Sequence, residues 1–580
     1  MPFDDLQQFL HHLEQHGQLK RIRAEVDPEL EVTEISQRII REDGPALLFE
    51  NPKGSSTPLL MNLFGSMQRV KAALGGEPAQ IGVDLYTAIQ KVNPPTVKGL
   101  WESRHLLPKA LAMRPKTVRS AISQEIVEAP DLGKLPVLKC WPGDAGRFIT
   151  YGMVLTHHPR THRRNLGLYR LQVFDSHTTG MHWQSMKGGR GHYWEAEQHG
   201  DDLEVAVVIG ADPILMMAAI LPLPEDVDEI GFAGFLRGKA VPMAAAKTLK
   251  MLVPARAEII LEGVVAAKQR RIEGPFGDHF GHYSEAAEFP VFQVRQVTRR
   301  KNPVYAATVV GKPPQEDKFL GIAAGEMVGP LIRLINPNVS NMCAYVGAGF
   351  HNLLAVSVSE RHPKEIVKTA MSLLGTGQLS LTKVMVLLRA DVDPSDFRAV
   401  MREIWRRFDP EDHMWVLPFM PLDTLDFTSF KMHVGSKLII DAAGDDVRSA
   451  SARDVDPRQF DARVNAYRLL DGGMLVVAVR GSAREILTNL VHAPLDARFV
   501  VAVSDDVQLE DDENLQWGIF TRFDPARDMI VAEQTFVGAR PVYRGIVGID
   551  ATWKEGYPAP LVMDEAVVKL VNRRWGDYWK

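Results

Sequence analysis

The stretch DDLQQFLHHLEQHGQ, residues 4–18, sets Leu6, Phe9, Leu10 and Leu13 at i, i+3, i+4 and i+7. Apolar positions at that spacing line one face of a helix, and Gly17 predicts its end. GPALLFENPKG, residues 44–54, then reads as a buried strand closed by a turn. The mixture predicts an N-terminal α/β domain over about residues 1–115. From about residue 150 the pattern changes. YGMVLTHH, LGLYRLQVFD, LEVAVVIGAD, AEIILEGVV, FPVFQVRQVTRR and PVYAATVVG are short β-rich runs broken by turn residues. Together they predict a barrel-like all-β domain over residues 116–315. Strands alternating with helices return in residues 316–580, a C-terminal α/β domain.

That last segment repeats itself. KVMVLLRADVDPSDFRAVMREIWRRFDP (383–410) aligns without gaps on RFVVAVSDDVQLEDDENLQWGIFTRFDP (498–525). Asp391 falls on Asp506, Phe408 on Phe523, and Asp409-Pro410 on Asp524-Pro525. GSKLIIDA (435–442) and GIVGIDAT (545–552) look like matching ends, giving units near 383–442 and 498–552. Two copies predict a pseudo-symmetric domain rather than a solenoid.

Composition narrows the class. Of 580 residues 45% are hydrophobic and 24% charged, the balance of a globular protein with a sizeable core. The net charge of −5 offers no general basic field for nucleic acid. Cys140 and Cys343 stand far apart, outside any CxxC spacing, which suits a reducing compartment. The start MPFDDLQQ lacks the plan of a signal peptide, and the apolar run ILMMAAILPLP (214–224) is too short to span a bilayer. A cytoplasmic protein is expected.

Four stretches concentrate polar groups. EGPFGDHFGHYSE (273–285) carries Glu273, Asp278, His279, His282 and Glu285 on a segment too glycine-rich for a helix. RRNLGLYRLQV (163–173) puts Leu168, Arg170 and Gln172 on one strand face by the period of two. A buried arginine there needs a carboxylate partner; an exposed edge-strand arginine would not. MHWQSMKGGR (181–190) ends in Lys187 and two glycines, a weak phosphate-binding signal on its own. EDVDEIGFAGFLRG (225–238) reads as an acidic helix start.

EGPFGDH, NLGLYR, MHWQSMKGG, the run around Glu229 and LSLTK (379–383) together resemble the UbiD family of decarboxylases. The likeness extends to GPALLFENPKG near the start and to FTRFDPARD and GIDAT near the end. It implies reversible, prenylated-FMN-dependent decarboxylation of an aromatic or other unsaturated acid, 4-hydroxy-3-polyprenylbenzoate or a quinone-pathway relative among them. Arg170, Glu273 and Asp278 match the family's catalytic arginine and two acids. Asn165 and Glu229 match its ligands for a divalent ion, Mn2+, beside the flavin phosphate; the resemblance also allows K+. Leu168, Tyr169 and Arg170, then His182, Trp183 and Gln184, then Lys187 and Gly188, match cofactor-contacting segments, and Lys383 a lysine that reaches the phosphate. The implied fold has an N-terminal α/β domain, a central split β-barrel of flavin-reductase type and a C-terminal α/β oligomerisation domain. The implied partners are a prenyltransferase supplying the modified flavin and further copies of the chain, as a dimer or hexamer. Two departures stand out. Met186 occupies a position where several relatives have a metal-binding histidine, and shorter members carry the duplicated unit once.

The chemistry fits these groups. Loss of CO2 from an sp2 carbon leaves a carbanion that no side chain can stabilise, so a cofactor must accept the electrons. The protein orients the carboxylate, keeps Glu273 ionised through Arg170 and moves a proton, and crowded acids raise one pKa toward working pH. A metal-dependent hydrolase with Asp278, His279 and His282 as ligands is the alternative reading of DHFGH. Near the C-terminus, Trp575, Tyr578 and Trp579 are expected to anchor an oligomer interface or, with a lipid-linked substrate, to touch a membrane surface.

Overall fold

The computed structural model describes residues 3–93, 96–184, 188–224 and 227–580. The fold is mixed α/β and divides into two units. One holds the chain up to Asp278, then His282–Val328 and Pro560–Lys580; the other holds His279–Gly281 and Gly329–Ala559. The N-terminal and central segments fall in one unit because they share a four-stranded sheet and a core.

In the first unit the helix Leu6–Gln15 buries Leu6, Phe9, Leu10 and Leu13. The Asp5 carboxylate caps it by accepting from Gln8 N–H at 2.9 Å. Beside it lies a four-stranded sheet of Leu19–Val26, Ala46–Pro52, Leu59–Met61 and Tyr305–Ala306. The last of these comes from the run PVYAATVVG. Instead of joining the central strands it pairs in parallel with Leu59 and Leu60, tying the central segment to the N-terminal one.

The central sheet runs Ile126–Glu128, Ala287–Arg299, Ile259–Glu273, Leu203–Ile209, Phe148–His157, Arg164–Gln172, with Thr178–Gly180 beside Ala287–Arg299. Among the described residues this path stays open and no closed barrel forms. The edge strand Arg164–Gln172 is satisfied by loops: Leu168 N–H donates to Ala219 O at 3.2 Å, and Arg170 O accepts from His182 N–H at 3.4 Å. Backbone groups so paired need no further strand.

The tail Pro560–Lys580 returns to the first unit. Tyr578 is buried and donates to Glu31 Oε1 at 2.6 Å, and the Arg38 guanidinium lies 5.3 Å from the centre of the Trp575 ring. Trp575 and Trp579 pack against the same core. These aromatics therefore anchor the tail within its own unit, with Trp575 and Trp579 half-buried. Among the described residues no helix is long and apolar enough to cross a membrane.

The second unit holds two five-stranded sheets of the same topology. One comprises Val339–Ala344, Leu353–Val358, Val384–Arg389, Val434–Ala442 and Met414–Pro421; the other Val464–Leu470, Met474–Val479, Phe499–Val503, Arg540–Ala551 and Met529–Val537. The repeat is thus about twice as long as the sequence match, since the earlier halves share pattern without shared residues. The FDP turns persist for a local reason. Asp409 and Asp524 cap short helices by accepting from Glu411 and Ala526 N–H at 3.0 and 3.1 Å, with proline at the first helical position.

Candidate active site

Arg170, on the edge strand, is 9% exposed. Its Nε donates to Glu273 Oε1 at 3.0 Å, one Nη to Asp278, and the other to Ser284 Oγ at 3.2 Å. The guanidinium also stacks over Phe276, 4.8 Å from the ring centre. Glu273 ends the long central strand and is fully buried. Its Oε1 accepts a second bond from His182 Nδ1 at 3.0 Å, whereas Oε2 has no hydrogen-bond partner among the described residues. Burial alone would raise the Glu273 pKa, but Arg170 and His182 outweigh it and hold the carboxyl below its usual range. Burial, aided by Arg170, lowers the His182 pKa. At neutral pH the imidazole is uncharged and its Nδ1–H donates to the carboxylate.

The loop from Glu273 to Ser284 reaches this position through its glycines. Gly274 has φ of +93°, and its N–H donates to Gln172 Oε1 at 2.8 Å. At Gly277 a Cβ would lie 2.3 Å from the Trp141 ring. Asp278 N–H donates to His282 O, and Ser284 N–H to Phe276 O, which folds the loop back on itself.

A second cluster lies along the same strand. Leu166 N–H donates to Glu229 Oε2 at 3.0 Å, which sets that carboxylate beside Asn165. Glu229 is the first residue of a helix capped by Asp228, and burial pushes its pKa up to about 7. A Cβ on Gly188 would lie 2.3 Å from Asn165 Oδ1, and one on Gly189 2.6 Å from Trp183. Gly189 N–H donates to the Tyr169 hydroxyl at 3.1 Å, and the Tyr169 and Trp183 rings meet edge to face. Trp183 Nε1 is a buried donor without a partner among the described residues, while the Asn165 side chain hydrogen-bonds the Tyr169 hydroxyl. A bare donor, a glycine cradle at the start of the helix Gly188–His199 and a buried carboxylate suit a phosphate and a hard divalent ion. The residues present fit the phosphate end of a flavin.

Arg170, Glu273, Asp278 and His182 therefore converge, and so do Asn165, Glu229, Tyr169, Trp183 and Gly188. Leu168 and Gln184 are half-buried nearby in sequence. Lys187 and Met186 lie outside the described residues. Lys383 belongs to the second unit, where it is fully buried with Nζ 2.8 Å from Asp426. Its ammonium is committed within its own unit because a buried lysine needs a counter-charge. The hydrolase ligand set does not assemble. Asp278 is held by Arg170, the His279 ring packs on Phe280 and Phe350 in the second unit, and the described residues hold no metal-binding group of three His, Cys, Asp or Glu. One contributor lay outside the candidates read from the sequence. Asp144, in WPGDAG, accepts from the Gly277 N–H next to Asp278; an acid in a Pro/Gly turn was the signal.

Comparison with known proteins identifies the family. Models of the 3-octaprenyl-4-hydroxybenzoate carboxy-lyase match residues 10–89 with their N-terminal domain and 116–313 with their Rift-related domain. The C-terminal domain model matches 318–442 and 468–551, the two stretches that hold the repeated sheets. A Chlamydia trachomatis protein is 36% identical over 589 residues, spanning 99% of both chains. A 4-hydroxybenzoate decarboxylase component from Chlamydia pneumoniae is 36% identical over 568 residues, 97% of this chain and 96% of that one. Among solved structures, Sedimentibacter hydroxybenzoicus vanillic acid decarboxylase superposes with a TM-score of 0.68 at 25% identity, covering 79% of this chain and 95% of its own. The UbiD-class enzyme HmfF of Pelotomaculum thermopropionicum, in complex with FMN, gives 0.62 at 26%, covering 78% and 97%; an evolved dimeric form of HmfF was solved with prFMN. With its length matched by all three domain models, and its buried arginine–carboxylate cluster on the central sheet, this chain belongs to the UbiD family of carboxy-lyases.

Proposed function

We propose that this chain reversibly decarboxylates an aromatic or other unsaturated carboxylic acid, 4-hydroxy-3-polyprenylbenzoate or a quinone-pathway relative, with prenylated FMN bound in the first unit. The observation that carries the reading is the convergence of Arg170, Glu273 and Asp278 with one buried carboxylate oxygen left open. Asn165, Tyr169, Trp183 and Gly188 would hold the phosphate end of the flavin, joined by Lys187, and Asn165 with Glu229 would hold Mn2+, with K+ nearby. The prenylated flavin supplies the electron sink that carbanion chemistry requires. Arg170 orients the substrate carboxylate and keeps Glu273 ionised. Asp278 then delivers a proton to the carbon that CO2 leaves, and takes one in the reverse direction. The central sheet acts as one side of a split barrel of flavin-reductase type, and the duplicated sheets serve homo-oligomerisation, as dimer or hexamer. A prenyltransferase would supply the cofactor.

The test is reconstitution of the purified chain with prenylated FMN, with plain FMN, or with zinc alone, followed by a panel of aromatic and heteroaromatic acids. CO2 release with the modified flavin alone is the expected result. Turnover with zinc and no flavin would overturn the reading.

A further inference from the structure

Asp144 is 5% exposed and lies in the turn Cys140–Gly146, which leads directly into the strand Phe148–His157. One carboxylate oxygen closes the turn on itself by accepting from Cys140 and Trp141 N–H at 3.0 and 2.8 Å. The other reaches out and accepts from Gly277 N–H at 2.7 Å. The turn grips the same loop twice more: Ala145 N–H donates to Pro275 O at 2.9 Å, and Gly143 N–H to the Tyr283 hydroxyl at 2.9 Å. Trp141 fills the space that a side chain at position 277 would need.

The mechanical consequence follows from the strand register. Phe148 stands opposite Gln172, so the strand leaving the turn is paired with the one that carries Arg170. On one side Asp144 is thus fixed to the Arg170 strand pair, and on the other it holds the N–H of Gly277, the residue before Asp278. We propose that Asp144 is a positioning residue that sets Asp278 against Arg170 through the Gly277 N–H, touching neither substrate nor cofactor. A neutral side chain without the outward acceptor would leave the glycine-rich segment 274–278 free to drift, and a displacement of about 1 Å costs about 10²-fold in rate.

The proposal rests on the decarboxylase reading, and a double-mutant cycle with an activity-independent readout keeps the two separable. Asp144→Ala, Asp144→Asn, Asp278→Asn and the two double variants are loaded with prenylated FMN. For each, kcat, KM, flavin retention and amide hydrogen exchange over residues 274–285 are measured. Asp144→Ala should lower kcat by about 10- to 100-fold, leave KM within about twofold, retain flavin and speed exchange in the loop. In the Asp278→Asn background the same change should cost nothing further. Asp144→Asn keeps one acceptor and should fall between, and it decides the matter if the alanine variant does not fold. Unchanged loop exchange, or a kcat loss that multiplies with that of Asp278→Asn, would overturn the proposal. If no acid is turned over by the parent protein, the decarboxylase reading fails, while loop exchange still decides whether Asp144 holds Gly277.

Discussion

Two buried ionic clusters in this chain resemble each other in composition and differ in what they leave available. In the first unit Arg170 gathers Glu273 and Asp278, with His182 on the same Glu273 oxygen as Arg170. In the second unit Lys383 faces Asp426 at 2.8 Å, and Lys437 Nζ donates to Ser380 O and Thr382 O at 2.8 and 2.6 Å. Both lysines are fully buried. In the second cluster Lys437 ends on carbonyl oxygens that terminate a short helical turn, while Lys383 Nζ and Asp426 Oδ2 form an ion pair with no hydrogen-bond partner among the described residues. The first keeps an unsatisfied oxygen on Glu273 and carries its second acid on a loop of glycines. Neither buried charge nor an unsatisfied atom separates the two clusters; what distinguishes the first is that its open oxygen stands beside a glycine-rich loop that carries the second acid.

Removing the cation from each cluster should separate them most sharply. Arg170→Met leaves two buried carboxylates without their shared partner, and should abolish turnover and cost about 3–5 kcal/mol of stability at pH 7. Lys383→Met leaves one, with Lys437 near enough to Asp426 to share its charge, so its loss should fall below that range with flavin retention intact. Urea denaturation and bound-flavin absorbance read both. Loss of flavin from Lys383→Met at unchanged stability would place Lys383 with the cofactor after all.

The two units should also respond to pH in opposite directions. Burial raises Glu258 and Glu316 in the first unit to about 7, so each binds its proton more tightly folded than unfolded. The stability they contribute is greatest near pH 4.5 and falls up to about pH 7, by about 1.4 kcal/mol per group per pH unit. Burial lowers Lys437 in the second unit to about 7. Its unfolded form holds the extra proton, so stability there rises with pH from about 7 to about 10.5. Denaturant-dependent hydrogen exchange, resolved by segment and corrected for intrinsic rates, should show the opposed slopes; parallel slopes would sink this contrast.

The smallest expected effect concerns the metal. Met186 offers a thioether, a poor ligand for a hard ion. Met186→His should tighten Mn2+ retention, by about tenfold on the scale of a single added interaction, without abolishing turnover. Unchanged affinity by metal titration would mean that this position does not face the ion.

Elements with strong periodicity were legible in the sequence. The helix at Leu6, the strand around Arg170, the first half of the strand Ile259–Glu273 and the later half of each repeat all carry their pattern locally. What escaped is non-local. The return of Pro560–Lys580 to the first unit depends on Glu31, more than 500 residues away. The open edge of the central sheet depends on loop carbonyls and amides that no strand pattern encodes. Within the site, Arg170, Glu273 and Asp278 stood out because charged residues in apolar or glycine-rich surroundings are costly unless paired. Asp144 did not, because an acid in a Pro/Gly turn reads the same whether it faces water or caps a distant amide. The ion pair of Lys383 with Asp426 was likewise not legible, because the two residues stand 43 positions apart with no shared pattern.

The central claim is that Asp278, fixed against Arg170, carries the proton exchanged for CO2. Asp278→Asn keeps the size and hydrogen-bonding capacity of the side chain and removes the transferable proton. In deuterated water, with prenylated FMN bound, the variant should lose about 10²- to 10⁴-fold in decarboxylation and lose deuterium incorporation at the product carbon in parallel. Flavin content and the unfolding midpoint should be unchanged. Full turnover with full deuterium incorporation, in a folded and cofactor-loaded Asp278→Asn protein, would contradict it.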